Sequence, residues 1–133
     1  MHELVERIKK PELCYVFARN ARARGHEDLA LEAFRRAVDL RAEEHQVESE
    51  AELMALKAFY AYEEALSHMH GKRKRATGTW QMVNRYGVLP ALIKRLESKS
   101  VEEAMPALKE LKLEDYSLQA VAKTYAGELK KAA

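Results

Sequence analysis

A chain of 133 residues with 23 Lys/Arg, 21 Asp/Glu and a net charge of +2 is long enough to bury a core without a disulfide or a metal ion. The one cysteine, Cys14, excludes a disulfide framework and suits a reducing compartment. No apolar run approaches the roughly 18 residues of a membrane span, and the start Met1-His2-Glu3-Leu4-Val5-Glu6-Arg7 is too polar for a secretory signal, so a cytoplasmic location and no membrane partner are expected. The 21 Ala and 16 Leu outweigh 13 Val, Ile and Thr combined, and no stretch alternates apolar and polar residues as a strand would, which predicts an all-α chain.

Residues 1–10 predict a short amphipathic helix through Leu4, Val5 and Ile8. Pro11 suits the first turn of the next helix, where its missing N–H costs nothing, and Gly25 suits its end. Leu13, Cys14, Phe17, Ala18 and Ala21 form its apolar stripe. Glu27-Asp28 opens a helix to about Glu44 or His45, with Leu29, Ala30, Ala33, Phe34, Ala37 and Val38 inward. Ser49-Glu50-Ala51-Glu52 reads as a capping box for a long helix through about Met69, ended by Gly71. A loop over 72–78 follows, then a short helix capped by Thr77 or Thr79 and running to about Tyr86. Gly87 turns the chain into a helix over about 88–98, with Pro90 in its first turn. A second box, Ser100-Val101-Glu102-Glu103, opens a helix that includes Pro106. Residues 113–118 connect to a last helix through Val121 and Tyr125 that frays after Gly127. The expected architecture is one domain over 1–133 with six or seven helices: an antiparallel hairpin plus long helix over 1–70, packed on a basic loop and short-helix cluster over 71–133.

Charge is the most informative feature. Between Ala65 and Leu96 there are seven Lys/Arg and no Asp or Glu, so this window carries +7 and the rest of the chain −5. Its densest part is Lys72-Arg73-Lys74-Arg75. Charge concentrated in this way points to an anionic partner, nucleic acid first, with double-stranded DNA favoured over RNA. Lys72, Arg73, Lys74, Arg75 and Arg85, with Lys94 and Arg95 further on, are the candidate phosphate contacts. Thr77 and Thr79 would add hydroxyl or amide donors, and Gly78 would allow close backbone approach. The helices either side of Gly87 make a helix–turn–helix candidate, but a recognition helix reads bases through its N-terminal residues, and Val88, Leu89, Pro90 and Ala91 offer no base-reading donors. A backbone-contacting protein fits better than a sequence reader. Trp80 could stack on a base, but its helical spacing with Val83 and Gly87 fits a core residue that closes the second half onto the long helix.

Gly25-His26-Glu27-Asp28-Leu29-Ala30-Leu31-Glu32-Ala33-Phe34-Arg35-Arg36-Ala37-Val38-Asp39-Leu40, within 17–40, resembles the turn and second helix of one tetratricopeptide repeat. Glu27 stands where that repeat carries an aromatic, and no second copy follows at its period. The resemblance implies an antiparallel helical hairpin and nothing about peptide binding. Arg75-Ala76-Thr77-Gly78-Thr79-Trp80-Gln81-Met82-Val83-Asn84-Arg85-Tyr86-Gly87-Val88-Leu89-Pro90-Ala91-Leu92-Ile93-Lys94-Arg95-Leu96, continuing through Leu113-Glu114-Asp115-Tyr116-Ser117-Leu118-Gln119-Ala120-Val121, resembles a segment of uncharacterised bacterial all-helical proteins over about 72–125. What that resemblance implies is a bacterial source and a chromosome- or phage-related setting, with no catalytic residues.

Other chemistries have less support. Glu64 and His68 share a helix face, but Glu-x-x-His spacing and a cysteine pair are both absent, so no metal and no cofactor are expected. There is no phosphate-cradling glycine loop, nucleophile elbow or His-Glu-x-x-His, so no enzyme is expected and no catalytic residue is named. The main alternative to nucleic-acid binding is a protein–protein interaction module or homodimer that uses the Ala-rich hairpin and the aromatics Phe59, Tyr60 and Tyr62. A phage or host-defence regulator is a third reading; the net positive charge argues against mimicry of DNA.

Overall fold

The computed structural model describes residues 1–133, which are helical with no strand. In chain order the helices are α1 (Glu3–Glu6), α2 (Pro11–Ala23), α3 (Glu27–Glu43), α4 (Glu50–His70), α5 (Thr77–Tyr86), α6 (Val88–Leu96), α7 (Lys99–Glu103), α8 (Met105–Glu110), a 3₁₀ turn (Glu114–Tyr116), α9 (Leu118–Thr124) and α10 (Ala126–Ala132). No helix is long and apolar enough to cross a membrane. The chain divides into two compact units, Met1–His45 and Gln46–Ala133. The boundary falls before α4, so the long helix belongs with the C-terminal residues and not with the hairpin, where the sequence pattern grouped it. The physical reason is that α4 is buried on nearly all sides, through Ala51, Ala55, Leu56, Ala58, Phe59, Ala61, Tyr62 and Ala65, so no single stripe names its partner.

In the first unit, α2 and α3 form an antiparallel hairpin whose interface is built from small residues: Cys14, Ala18, Ala21, Ala30, Ala33 and Ala37. Their size lets two backbones approach closely, while Tyr15, Phe17, Leu29, Phe34 and Leu40 fill the flanks. The turn is a Schellman motif. Gly25, at φ +79°, donates to the Arg22 carbonyl at 3.0 Å, and the His26 N–H donates to the Ala21 carbonyl at 2.8 Å. α1 packs on α3 through the buried Val5. Leu4, Leu13 and Val16 remain exposed, and Leu4, Phe17, Ala21 and Leu29 line an open cleft of about 340 Å³ with Asn20, Arg24 and His26.

In the second unit, α4 is the central rod, packed by α6, α8, α9 and the 3₁₀ turn. Ser49 caps it by accepting from the Glu52 N–H at 3.2 Å, and Glu52 reaches back one residue further than the box motif predicts, to the Glu48 N–H at 2.9 Å. Gly71, at φ +70°, ends the helix. Phe59, Leu56, Leu92, Leu108, Leu113 and Leu118 are the largest fully buried side chains of the unit, each contributing about 1.5–3 kcal/mol before the entropy cost of ordering it. The single helix predicted around Pro106 is two, α7 and α8, and the segment after Gly127 is helical, as α10. Ser100 is not a cap, because α7 begins at Lys99 behind Ser98 and the Ser100 hydroxyl is held by Tyr62 and Arg95.

Candidate nucleic-acid interface

The basic segment is built on the last two turns of α4. Glu63 and Glu64 end the acidic part of the sequence before the +7 window, and both are buried, at 1% and 4% exposure. The chain turns at Gly71 and folds back over them. Arg73 donates to Glu64 through both terminal guanidinium nitrogens. The Ala76 N–H donates to Glu63 Oε2 at 2.8 Å, and the Trp80 indole N–H donates to the same oxygen at 2.6 Å. Between them the Lys74 N–H donates to Ser67 Oγ at 2.9 Å, and that hydroxyl donates to the Glu63 carbonyl at 2.8 Å. A buried carboxylate requires such donors, because an unsatisfied one forfeits its hydration. The loop over 72–76 is therefore a fitted strap and not a free solvated tail. Trp80 completes it, with its ring edge-on to Phe59 at 5.8 Å and tilted against Tyr60 at 4.8 Å, a geometry that favours aromatic pairs.

This arrangement sorts the candidate phosphate contacts. Lys72 and Arg75 are exposed and Lys74 half-exposed, and none of the three forms an ion pair. Arg73 differs: 47% of its side chain is exposed, but its charge is matched by Glu64, which makes it a structural clasp first. Thr77 is exposed at the start of α5, whose cap residue is Ala76 with no side-chain cap bond, so neither threonine caps the helix. Thr79 is 2% exposed and packed inward; its hydroxyl is out of reach of a ligand, which corrects its assignment as a donor. The reason is helical phase: Thr77, Gly78, Gln81, Asn84 and Arg85 lie on the outer face of α5, and Thr79 lies on the inner one. A Cβ at Gly78 would meet nothing within 4 Å, so the backbone there is open to approach.

Arg85 and Lys94 are exposed and form no ion pair. They meet at Tyr86, with the Arg85 guanidinium 5.4 Å and the Lys94 ammonium 4.5 Å from the ring centroid. Arg95 points elsewhere. It is half-buried, donates to Ser100 Oγ at 3.2 Å and to Tyr62 Oη at 3.4 Å, and lies 5.8 Å from the Tyr62 ring, so it braces α6 against α4 and is withdrawn from the exposed set. α5 and α6 pack on each other around a single connecting residue, Gly87, where a helix–turn–helix has three or four. At the front of α6, Val88, Leu89 and Pro90 are half-buried and Ala91 is buried.

Sequence reasoning missed the roles of Glu63, Glu64, Ser67 and Tyr86 at this surface. The one signal for the first two was their position at the edge of the acid-free run. Glu64 and His68 share a face but take separate partners, Arg73 and Glu110. The chain matches no protein-family model, no curated protein and no solved structure.

Proposed function

We propose that this protein binds nucleic acid through the phosphate backbone, using Lys72, Lys74 and Arg75 of the strap together with Arg85 and Lys94. The observation that carries the reading is an acid-free stretch from Lys72 to Arg85 which, with Lys94 beside Tyr86, leaves five solvent-accessible cations with no ion pair to neutralise them. Cations left without carboxylates in a chain of 21 acids are free to exchange counterions for phosphates. Arg73, Thr79 and Arg95 are left out because other groups hold or cover them.

Fluorescence-anisotropy titration of labelled oligonucleotides at about 50 and 200 mM salt tests this. Five neutralised phosphates imply a log–log salt slope of about −3.5 on single strands and −4.5 on duplex. The triple variant Lys72→Ala/Lys74→Ala/Arg75→Ala is expected to lose most of the affinity and about three-fifths of the slope, while retaining its fold. Absence of binding at low salt would sink the reading.

A second reading has its own observation. Leu4, Leu13 and Val16 are exposed on the first unit, and Leu4 also lines the 340 Å³ cleft, which suits a protein partner. Phe59 and Tyr62 do not serve that role, since both are buried. Binding at the hairpin would be nearly indifferent to salt.

A further inference from the structure

We propose that Tyr86, with Arg85 and Lys94, is a stacking subsite for an unpaired nucleobase, so that the nucleic acid taken is single-stranded. This rests on the phosphate-binding reading above and narrows it to one substrate class.

Tyr86 stands apart from the other aromatics of its unit near the strap. Phe59 and Tyr62 are buried, and Trp80 is wedged against Phe59 and Tyr60. Tyr86, at the last position of α5, is 45% exposed. Gly87, at φ +94° and ψ 170°, turns the chain so sharply that the next helix starts at once, and α6 then brings Lys94 beside the ring. The corner therefore combines an accessible π face with two cations that have no carboxylate partner.

Those contacts are of a kind that a nucleotide can exchange favourably. A surface cation held over a ring is a weak contact, weaker than a base stacked on the same ring. A bound nucleotide supplies both replacements: its base covers the ring, and its phosphates draw Arg85 and Lys94 outward as charge-assisted partners. The approach is also prepared. Thr77, Gln81, Asn84 and Arg85 line the exposed face of α5, which spans about 12 Å from Thr77 to Arg85 at the usual helical rise. Tyr86 lies at the end of this helix, half a turn round from Thr77, so a strand laid along the face must curve around the C-terminal end of α5 at Arg85 to reach the ring. Duplex DNA fits less well. Its bases are already stacked and present only their edges, and the first turn of α6 has no side-chain donor to read them.

The test compares three ligands of equal phosphate number by anisotropy: oligothymidylate of about 15 nucleotides, an abasic strand of the same length, and a duplex. Wild-type protein is expected to bind oligothymidylate at least about tenfold more tightly than the abasic strand. Tyr86→Leu should bring oligothymidylate down to the abasic level, with an unchanged salt slope and unchanged affinity for the abasic strand. Tyr86→Phe should keep the preference, since the ring is retained. Because Tyr86 is half-exposed, the circular dichroism and thermal midpoint of both variants are expected to match wild type, and the abasic strand serves as an internal control for folded, phosphate-binding protein. Oligouridylate run alongside distinguishes RNA from DNA as the source of the strand; either one supports the subsite. Equal affinity of wild type for the thymidylate and abasic strands overturns the stacking subsite while leaving the phosphate reading standing. A duplex bound more tightly than the single strand overturns it as well. Failure to bind any of the three overturns both readings, and so does competition by polyglutamate as effective as that by oligothymidylate, because the cations would then be reading an acidic polypeptide.

Discussion

The guanidinium of Arg73 meets the buried carboxylate of Glu64 in two parallel bonds, Nη1 to Oε1 at 2.8 Å and Nη2 to Oε2 at 2.9 Å. One of the four consecutive basic residues is thereby committed to the fold. Removing it leaves a carboxylate at 4% exposure without its main cation. Arg73→Ala is expected to cost about 1–3 kcal/mol, below the full value for a buried pair because the arginine is half in solvent. Its effect on the salt slope of binding should be near zero, whereas Lys72→Ala, Lys74→Ala and Arg75→Ala should each remove about 0.7–0.9 from the slope and leave stability unchanged. Urea unfolding and salt-dependent anisotropy on the four variants separate the two effects; equal slopes for all four would refute the distinction.

Trp80 is the only tryptophan, so its fluorescence reports on the strap alone. Glu63 Oε2 holds its indole N–H and the Ala76 N–H. Glu63→Gln keeps an acceptor oxygen but loses the charge that strengthens both bonds, and is expected to cost about 1–2 kcal/mol. Glu63→Leu leaves two donors unmatched and should cost about 2–4 kcal/mol, with a red shift of emission as the strap loosens. Nucleic-acid affinity should fall in the same order, since a disordered strap must be re-ordered on binding. An unshifted emission spectrum in Glu63→Leu would contradict the anchoring role.

Two glycines near the site should respond with opposite signs. Gly87 adopts a conformation that only glycine reaches without strain. A Cβ there would meet only Pro90 Cδ, at 3.8 Å, an ordinary contact, so the cost of Gly87→Ala is backbone strain of about 1–3 kcal/mol. Gly78 lies inside α5 with open space around it, and Gly78→Ala should stabilise the protein by about 0.4–1 kcal/mol. Thermal unfolding of the pair decides this. A loss of binding in Gly78→Ala at undiminished stability would show that a phosphate approaches the backbone there.

The Tyr125 phenol is held above its usual value of 10.0, first by burial, then by its hydrogen bond to Glu50 and by the negative charges of Glu50 and Glu128. The folded state therefore keeps this proton longer than the unfolded chain. The contribution to stability is fully present below about pH 10 and declines as pH rises through the higher folded value. Tyr125→Phe is expected to make stability less steeply dependent on pH above 10 and to remove a late component from the near-ultraviolet tyrosinate titration. Loss of a component at the ordinary tyrosine position, with the late part of the curve unchanged, would exclude the shift.

Much of the fold was legible because punctuation and periodicity agree. Gly25, Gly71 and Gly87 all sit at positive φ where the chain turns, and Ser49 caps α4 as its motif predicts. The helix end before residue 113 was legible without a glycine: Lys112 itself takes φ 57° in a Schellman turn in which the Leu113 N–H reaches the Leu108 carbonyl at 2.8 Å. The failures have specific physical causes. Ser100 matched a box pattern, yet its hydroxyl serves a long-range cluster that local spacing cannot reveal. At the site, the exposed cations were readable from charge alone. Glu63 and Glu64 were not: acids at the end of an amphipathic helix read as solvated, and only the fold-back of the strap buries them. Thr79 failed for a related reason, since helical phase turns it inward while Thr77 faces out.

The bidentate clasp also gives the basic tetrad a reading frame. Exchanging the order of Lys72, Arg73, Lys74 and Arg75 would preserve composition, isoelectric point and net charge. A lysine at 73, however, would present a single ammonium to Glu64 in place of a planar fork, and the freed arginine would only add to a surface already cationic. A scrambled tetrad would pass any test based on charge and still fail as a sequence, so these four positions are not interchangeable units of basicity.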